Sequence, residues 1–312
     1  MVLEKLLPER VLERRPLYAF IVGIVYSVVG IFLAKLLFPE DPALVSVAFI
    51  SLLILPELYK LFSTEERKEK AERRITLKNL YKDNKDLLRL YLVLFFSIFF
   101  TYAVLTMFLS DFESNRLFSK QLSVRTSTGN AADRGGLSGL VSRGIYCEDA
   151  SLRRLPANSF PSMTCLYSKI FFNNLSVLAA CFFLALITGD GAVFLITWNA
   201  SVWGTIFGWL AKNLSRYFET AHPLGFFFTI LAIVLPHMTL EALAYIMAAI
   251  SGGTISKDVV LERLDSKRFN KVFAYNMLLL LVALLILLIA AGLETGVLTY
   301  STTYQSLLRF VR

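Results

Sequence analysis

Charge, histidine and cysteine are all scarce in this chain, and each shortage removes a class of function. Only 18% of its 312 residues are charged, where an ordinary soluble domain carries about 25%. Two histidines, His222 and His237, are too few for a multi-histidine metal centre within one subunit, so no metal and no cofactor are expected. Of three cysteines, Cys181 falls in an apolar run and reads as a small core residue. Cys147 and Cys165 share the one long polar loop, where an oxidising exterior would let them close a disulfide; two free thiols are the alternative. No Ser-His-Asp or Cys-His arrangement is present, His237 and Glu241 do not form a His-Glu-x-x-His motif, and Gly189-Asp190-Gly191 has no phosphate-loop continuation. The expectation is a protein with no catalytic residues and no enzymatic role.

What the chain does have is length of apolar run. Hydrophobic residues make up 56% of it. Spanning a bilayer takes about 20 apolar residues as a helix, because every backbone group must find its partner within the segment. Seven stretches qualify or nearly qualify: 17–38, 43–61, 88–109, 170–188, 192–210, 223–250 and 272–293. The fold class is therefore an all-α, polytopic transmembrane helical bundle of about seven spans. One of them carries Pro236 mid-run, where a break or kink is expected. Residues 223–250 also admit a re-entrant hairpin in place of a full span.

The net charge of +8 is concentrated between the spans. Lys5, Arg10, Arg14 and Arg15 precede the first, Arg67 to Lys85 form a dense block after the second, and Lys257 to Lys271 a third before the last. Seven crossings with the N-terminus inside put all three blocks in the cytoplasm, as the positive-inside rule asks. The partner of such blocks is a bilayer surface with anionic headgroups, not nucleic acid. The location implied is the cell membrane, multi-pass. Three regions follow: 1–87, a hairpin of two spans with a basic segment; 88–300, a membrane core with a long external loop at 110–168; and 301–312, a tail. The middle of the loop, rich in Ser, Gly and Arg, reads as flexible. Of the Asn-x-Ser sequons at Asn174, Asn199 and Asn213, only Asn213 reads as an acceptor outside the spans. Asp190 reads as a helix cap, and Lys35 as a snorkelling end.

Polar residues inside the spans carry the rest of the information, since an ionisable side chain in lipid costs about 2.5–3.5 kcal/mol or more. His237 and Glu241 lie four apart and share a helix face, so they pair with each other or with another span. Asn173, Asn174 and Asn199 need interhelical partners, and Gly204 and Gly208 permit close approach of helices. Asn173, Asn174, Asn199, His237, Glu241 and Glu294 are the expected intramembrane polar network. For Glu294, at the end of the last run where a carboxylate is cheap, a solvated terminus is the alternative to membership of that network.

The order Asn173-Asn174, Gly189, Asn199, Pro236-His237 and Glu241, closed by Ala291-x-x-Glu294, resembles the stage II sporulation protein M family of membrane proteins over roughly 88–300. Two positions depart from the family pattern, Met238 and Ala200, where glycine is usual. The resemblance implies a non-enzymatic membrane protein with a shared polar core. In endospore-forming bacteria it implies an anchor that recruits peptidoglycan-remodelling hydrolases. The first expectation is thus a scaffold that organises membrane or envelope proteins. A second is an ion- or proton-coupled transporter or channel using Pro236, His237 and Glu241; a third is lipid handling through the basic block. Small and polar span residues also suit assembly into a homo-oligomer.

Overall fold

In a computed structural model, the residues described are 16–71, 77–127, 163–219, 222–261 and 266–301. They form nine helices: α1 Pro16–Leu37, α2 Pro42–Ala71, α3 Leu77–Phe108, α4 Asp111–Leu117, α5 Ser119–Ser127, α6 Met163–Thr188, α7 Ala192–Tyr217, α8 Pro223–Leu261 and α9 Lys267–Tyr300. Six of these contain windows long and apolar enough to cross a membrane, and the apolar part of α2, Pro42–Pro56, is a shorter seventh. The all-α, multi-span architecture expected from the apolar runs is what the chain adopts.

Two differences from the sequence reading have physical causes. Helix α8 is continuous from Pro223 to Leu261 with Pro236 inside it, so there is neither a break nor a re-entrant hairpin. A proline removes only one helix hydrogen bond, the one to the Ala232 carbonyl, and packed neighbours on both sides hold the turn helical. The long loop opens with two short helices, α4 and α5, while most of its middle, read as flexible, lies outside the described residues; Ser110 caps α4 by accepting from the Glu113 amide at 3.2 Å. Asn213 is no surface acceptor: it sits within α7, half-buried, and donates to the Trp209 carbonyl at 2.8 Å.

Lipid removes most of the hydrophobic driving force between spans, so they pack where small residues admit a neighbouring backbone. On α1 the inward face is Ala19, Gly23, Ser27, Gly30 and Ala34, while Leu17, Val25, Phe32 and Leu36 stay exposed. Both faces are apolar; the small residues sit at the closest approaches, with Val22, Tyr26 and Ile31 buried beside them. Gly23 lies against Ser97 of α3 and Gly30 against Ile50 of α2. Gly204 and Gly208 of α7 abut the Phe99 and Ala103 carbonyls of α3, and Gly252 of α8 abuts the Phe182 carbonyl of α6. Around these seams Phe95, Phe99 and Tyr102 of α3 are buried. Phe99 stacks on Phe227 of α8 at 6.0 Å, and Phe95 meets Trp203 of α7 edge-on at 5.5 Å. Helix α3 thereby joins the α1–α2 hairpin to α7, and α8 joins α7 to α6 and α9. The turn between α6 and α7 bends at Gly189, whose φ of +81° favours glycine.

A side chain at the α3–α7 seam has nowhere to go, whereas Gly225 faces open space. Gly204→Val should destabilise the bundle by about 1–3 kcal/mol, and Gly225→Ala should leave it within about 0.5 kcal/mol. Thermal unfolding of both variants in detergent, followed by loss of the monodisperse species, makes the comparison.

Candidate functional site

Two polar assemblies stand out, one among the spans and one at an end of the bundle. The first is built on α6, α8 and α9. Pairing three helices in lipid takes polar side chains from each, and Asn174, Glu241 and Glu294 supply them. The carboxyls of Glu241 and Glu294 lie within hydrogen-bonding reach of each other, and Asn174 is in reach of both. Glu241 is 4% exposed and Asn174 8%, while Glu294 is only partly covered. Of the two readings its place in the sequence allowed, Glu294 takes the one in which it turns inward and joins α9 to α8. A lone carboxyl facing lipid would be costly, and its partners on α6 and α8 draw it in.

The other expected members of the network are distributed differently. Asn173 is exposed and donates to Asn174 Oδ1 at 3.4 Å. Asn199, partly buried, donates back to the Leu195 carbonyl of its own helix at 2.8 Å. His237 is 8% exposed, and its Nδ1 has no hydrogen-bond partner among the described residues. It shares a face of α8 with Glu241, yet Glu241 reaches across to α9 and α6. No group of three or more metal-ligating side chains with the geometry to hold an ion occurs among the described residues. Pro236 lies one residue before His237 within the unbroken helix. Cys165 is disulfide-bonded and Cys181 is buried and free; Cys147 lies outside the described residues. Tyr245, one turn beyond Glu241 on α8, is buried. Its spacing from His237 and Glu241, one turn each along α8, is the signal by which it could have been found in the sequence.

The second assembly is a collar of charge at the end of the bundle where α1, α3 and α7 finish and α2 begins. Asp111 at the start of α4 pairs with Arg216 at 2.6 Å and Lys212 at 2.8 Å, both from the last turns of α7. Lys212, 9% exposed along its side chain, also donates to the Leu109 carbonyl at 2.5 Å, at the end of α3. Lys35 of α1 pairs with Glu113 at 3.3 Å, Arg116 donates to the Pro39 carbonyl at 3.3 Å, and Lys120 meets Asp41 at 3.8 Å. Gln121 of α5 donates to the Ala43 carbonyl at 3.0 Å, and Ser46 shares a buried hydrogen bond with Tyr102 at 2.9 Å. Lys35 is thus paired across the collar, and does more than snorkel. At the opposite end Asp190 pairs with Lys257 of α8 at 3.4 Å and makes no helix cap: Gly191 occupies the cap position of α7 without a side-chain bond.

The Arg216 and Lys212 hydrogen bonds hold the Asp111 carboxyl down at about 2. A depressed carboxyl contributes above the unfolded value, about 3.9, and its contribution fades as pH falls toward 2. Asp111→Asn should therefore lower the unfolding temperature by a similar margin at every pH above about 5, with the margin closing in acid. For the buried assembly, Asn174→Leu leaves two carboxyls without their amide partner and should cost about 1–3 kcal/mol. Asn199→Ala, whose bond is internal to α7, should cost less in the same unfolding assay.

Comparison with known proteins adds one finding. No curated protein and no solved structure matches the chain. The family model described as stage II sporulation protein M matches residues 19–298, taking in the first two spans as well as the core from 88 onward. With a multi-span bundle, inward-turned polar residues and a match over most of its length, the chain belongs to the stage II sporulation protein M family.

Proposed function

We propose that this protein is an integral scaffold of the cell membrane, N-terminus in the cytoplasm, that holds other membrane or envelope proteins at a fixed position. The observation that carries this reading is the collar. Asp111, Glu113, Arg116, Lys120 and Gln121, on or between the short helices α4 and α5, tie down the α1–α2 turn, the end of α3 and the end of α7 together. In the orientation set by the basic blocks, that end faces outward.

Such cross-ties suit a platform more than a carrier. Alternating access asks one group of helices to rock against another around a central site. Here α7 is bound to the N-terminal hairpin's side of the molecule both through the glycine seam with α3 and through Asp111. Exposed Phe112 and the depression of about 460 Å³ bordered by Phe108, Lys212, Arg216 and Pro223 offer the apolar and cationic surface a partner would contact. Lys and Arg at the basic blocks would add contact with anionic lipid.

A photocrosslinking residue at Phe112, in the native membrane, should capture a discrete partner identifiable by mass spectrometry. The same probe at lipid-facing Phe32 should not, and Asp111→Asn should weaken the Phe112 adduct. Absence of any adduct at Phe112, or solute or ion flux in proteoliposomes that Glu241→Gln suppresses, would refute the scaffold reading.

A further inference from the structure

The cluster on α6, α8 and α9 has a property that a structural network does not require. An ionised carboxylate can only accept hydrogen bonds, so two carboxyls bond to each other only when one of them carries a proton. Glu241 and Glu294 are placed for that bond. Asn174 has two amide hydrogens to offer, but they cannot substitute for a donor between the two acids. The titratable groups nearest the pair along α8 are His237 and Tyr245, one turn to either side of Glu241. No lysine or arginine of the described residues acts on either carboxyl. Neutralisation by a salt bridge is therefore not how this site is built.

Two further atoms point the same way. The Oε1 of Glu241 is buried with no hydrogen-bond partner among the described residues, and so is Nδ1 of His237, one turn earlier on the same face. His237 is more than nine-tenths buried. A network serving only to lock three helices would be expected to satisfy these atoms. An acceptor on Glu241 and a ring nitrogen beside it leave capacity to hold a proton in more than one place. The pair is also asymmetric: Glu241 is enclosed, whereas Glu294 is partly exposed six residues before the end of α9.

We propose that Glu241, Glu294 and Asn174 form a binding site for one exchangeable proton, entered through Glu294 and held at Glu241. The proton moves as H+ between carboxyl oxygens, with no bond to carbon changed and no electron transferred. When it is bound, the two acids attract and α8 and α9 stay together. When it leaves, two carboxylates face each other in a medium of low dielectric and repel, which loosens the α8–α9 contact. The proposal stands apart from the scaffold reading, since a protonated pair is compatible with a platform that captures partners.

Infrared difference spectroscopy on the full-length protein in lipid nanodiscs tests it. The protein is compared in H2O and D2O over a pH series, beside Glu241→Gln, Glu294→Gln and the double variant. Glutamine keeps the shape and can donate an amide hydrogen, so these variants preserve the contact. Unchanged helical content and a monodisperse elution profile check that they do. The expected result is a protonated-carboxyl carbonyl band in the wild type that shifts in D2O on mixing, is altered by each single change and is lost in the double variant. A wild-type spectrum identical to that of the double variant, or a band that D2O never shifts, would overturn the proposal. If Glu241→Gln fails to fold, Glu294→Gln together with the D2O shift decides it.

Discussion

Lipid offers no hydrogen bonds, and every polar group placed among the spans must therefore find its partner inside the chain. The backbone obeys by forming helices throughout the described residues. The side chains obey in two ways. Ser27, Thr101, Thr106 and Asn199 bond to their own helix, as Ser27 does to the Gly23 carbonyl at 2.7 Å, and these bonds join nothing to anything else. Asn174, Glu241 and Glu294 instead reach one another across three helices. Bonds of the second kind hold spans in register, and others run from Ser46 of α2 to Tyr102 of α3 and from Ser251 of α8 to the Asn276 carbonyl of α9.

The glycine seams and the polar cluster divide the work of assembly. Gly23, Gly30, Gly204 and Gly208 bring α1, α2, α3 and α7 into backbone contact, so this half of the bundle is fastened by close packing. Helices α6, α8 and α9 have one such seam, at Gly252, and are joined further by the carboxyl pair, by the Ser251 hydroxyl donating to the Asn276 carbonyl at 2.7 Å and by the Tyr167 hydroxyl donating to the Leu288 carbonyl at 3.3 Å. The N-terminal half is additionally stitched by the collar through Asp111, Lys212 and Arg216. The half that carries the proton-binding pair is thus the one with fewer cross-ties to the collar, and the half that presents the collar is the more rigid.

Much of this was legible in the residues. Apolar run lengths placed six spans and a shorter seventh, and each observed helix covers its run to within one residue, most of them running on past it, because a polar turn at either end adds residues to a helix but not to a hydropathy window. Asn174 and Glu241 were legible for the same reason that they matter: polar groups in lipid are too costly to be accidental. Glu294 kept two readings open, network member and solvated end, because its position at the end of a run says nothing about the direction its side chain takes. Pro236 was misread because a proline weakens a helix locally, while packing along its whole length decides whether it ends. The collar was not legible at all, since its pairs join residues up to 105 positions apart and depend on which helix ends coincide in space.

Helix α8 is 39 residues long, about 58 Å of unbroken rod in a membrane whose hydrocarbon core is about 30 Å deep. It touches α3, α6, α7 and α9 along that length. A rod of this kind works as a lever: a tilt imposed at one water-facing surface is carried toward the other, with the turn at Pro236, which lacks one helix hydrogen bond, as a place where it can bend. The glutamate at position 241 lies close to its fulcrum, where small forces between neighbouring helices have the greatest leverage over both ends.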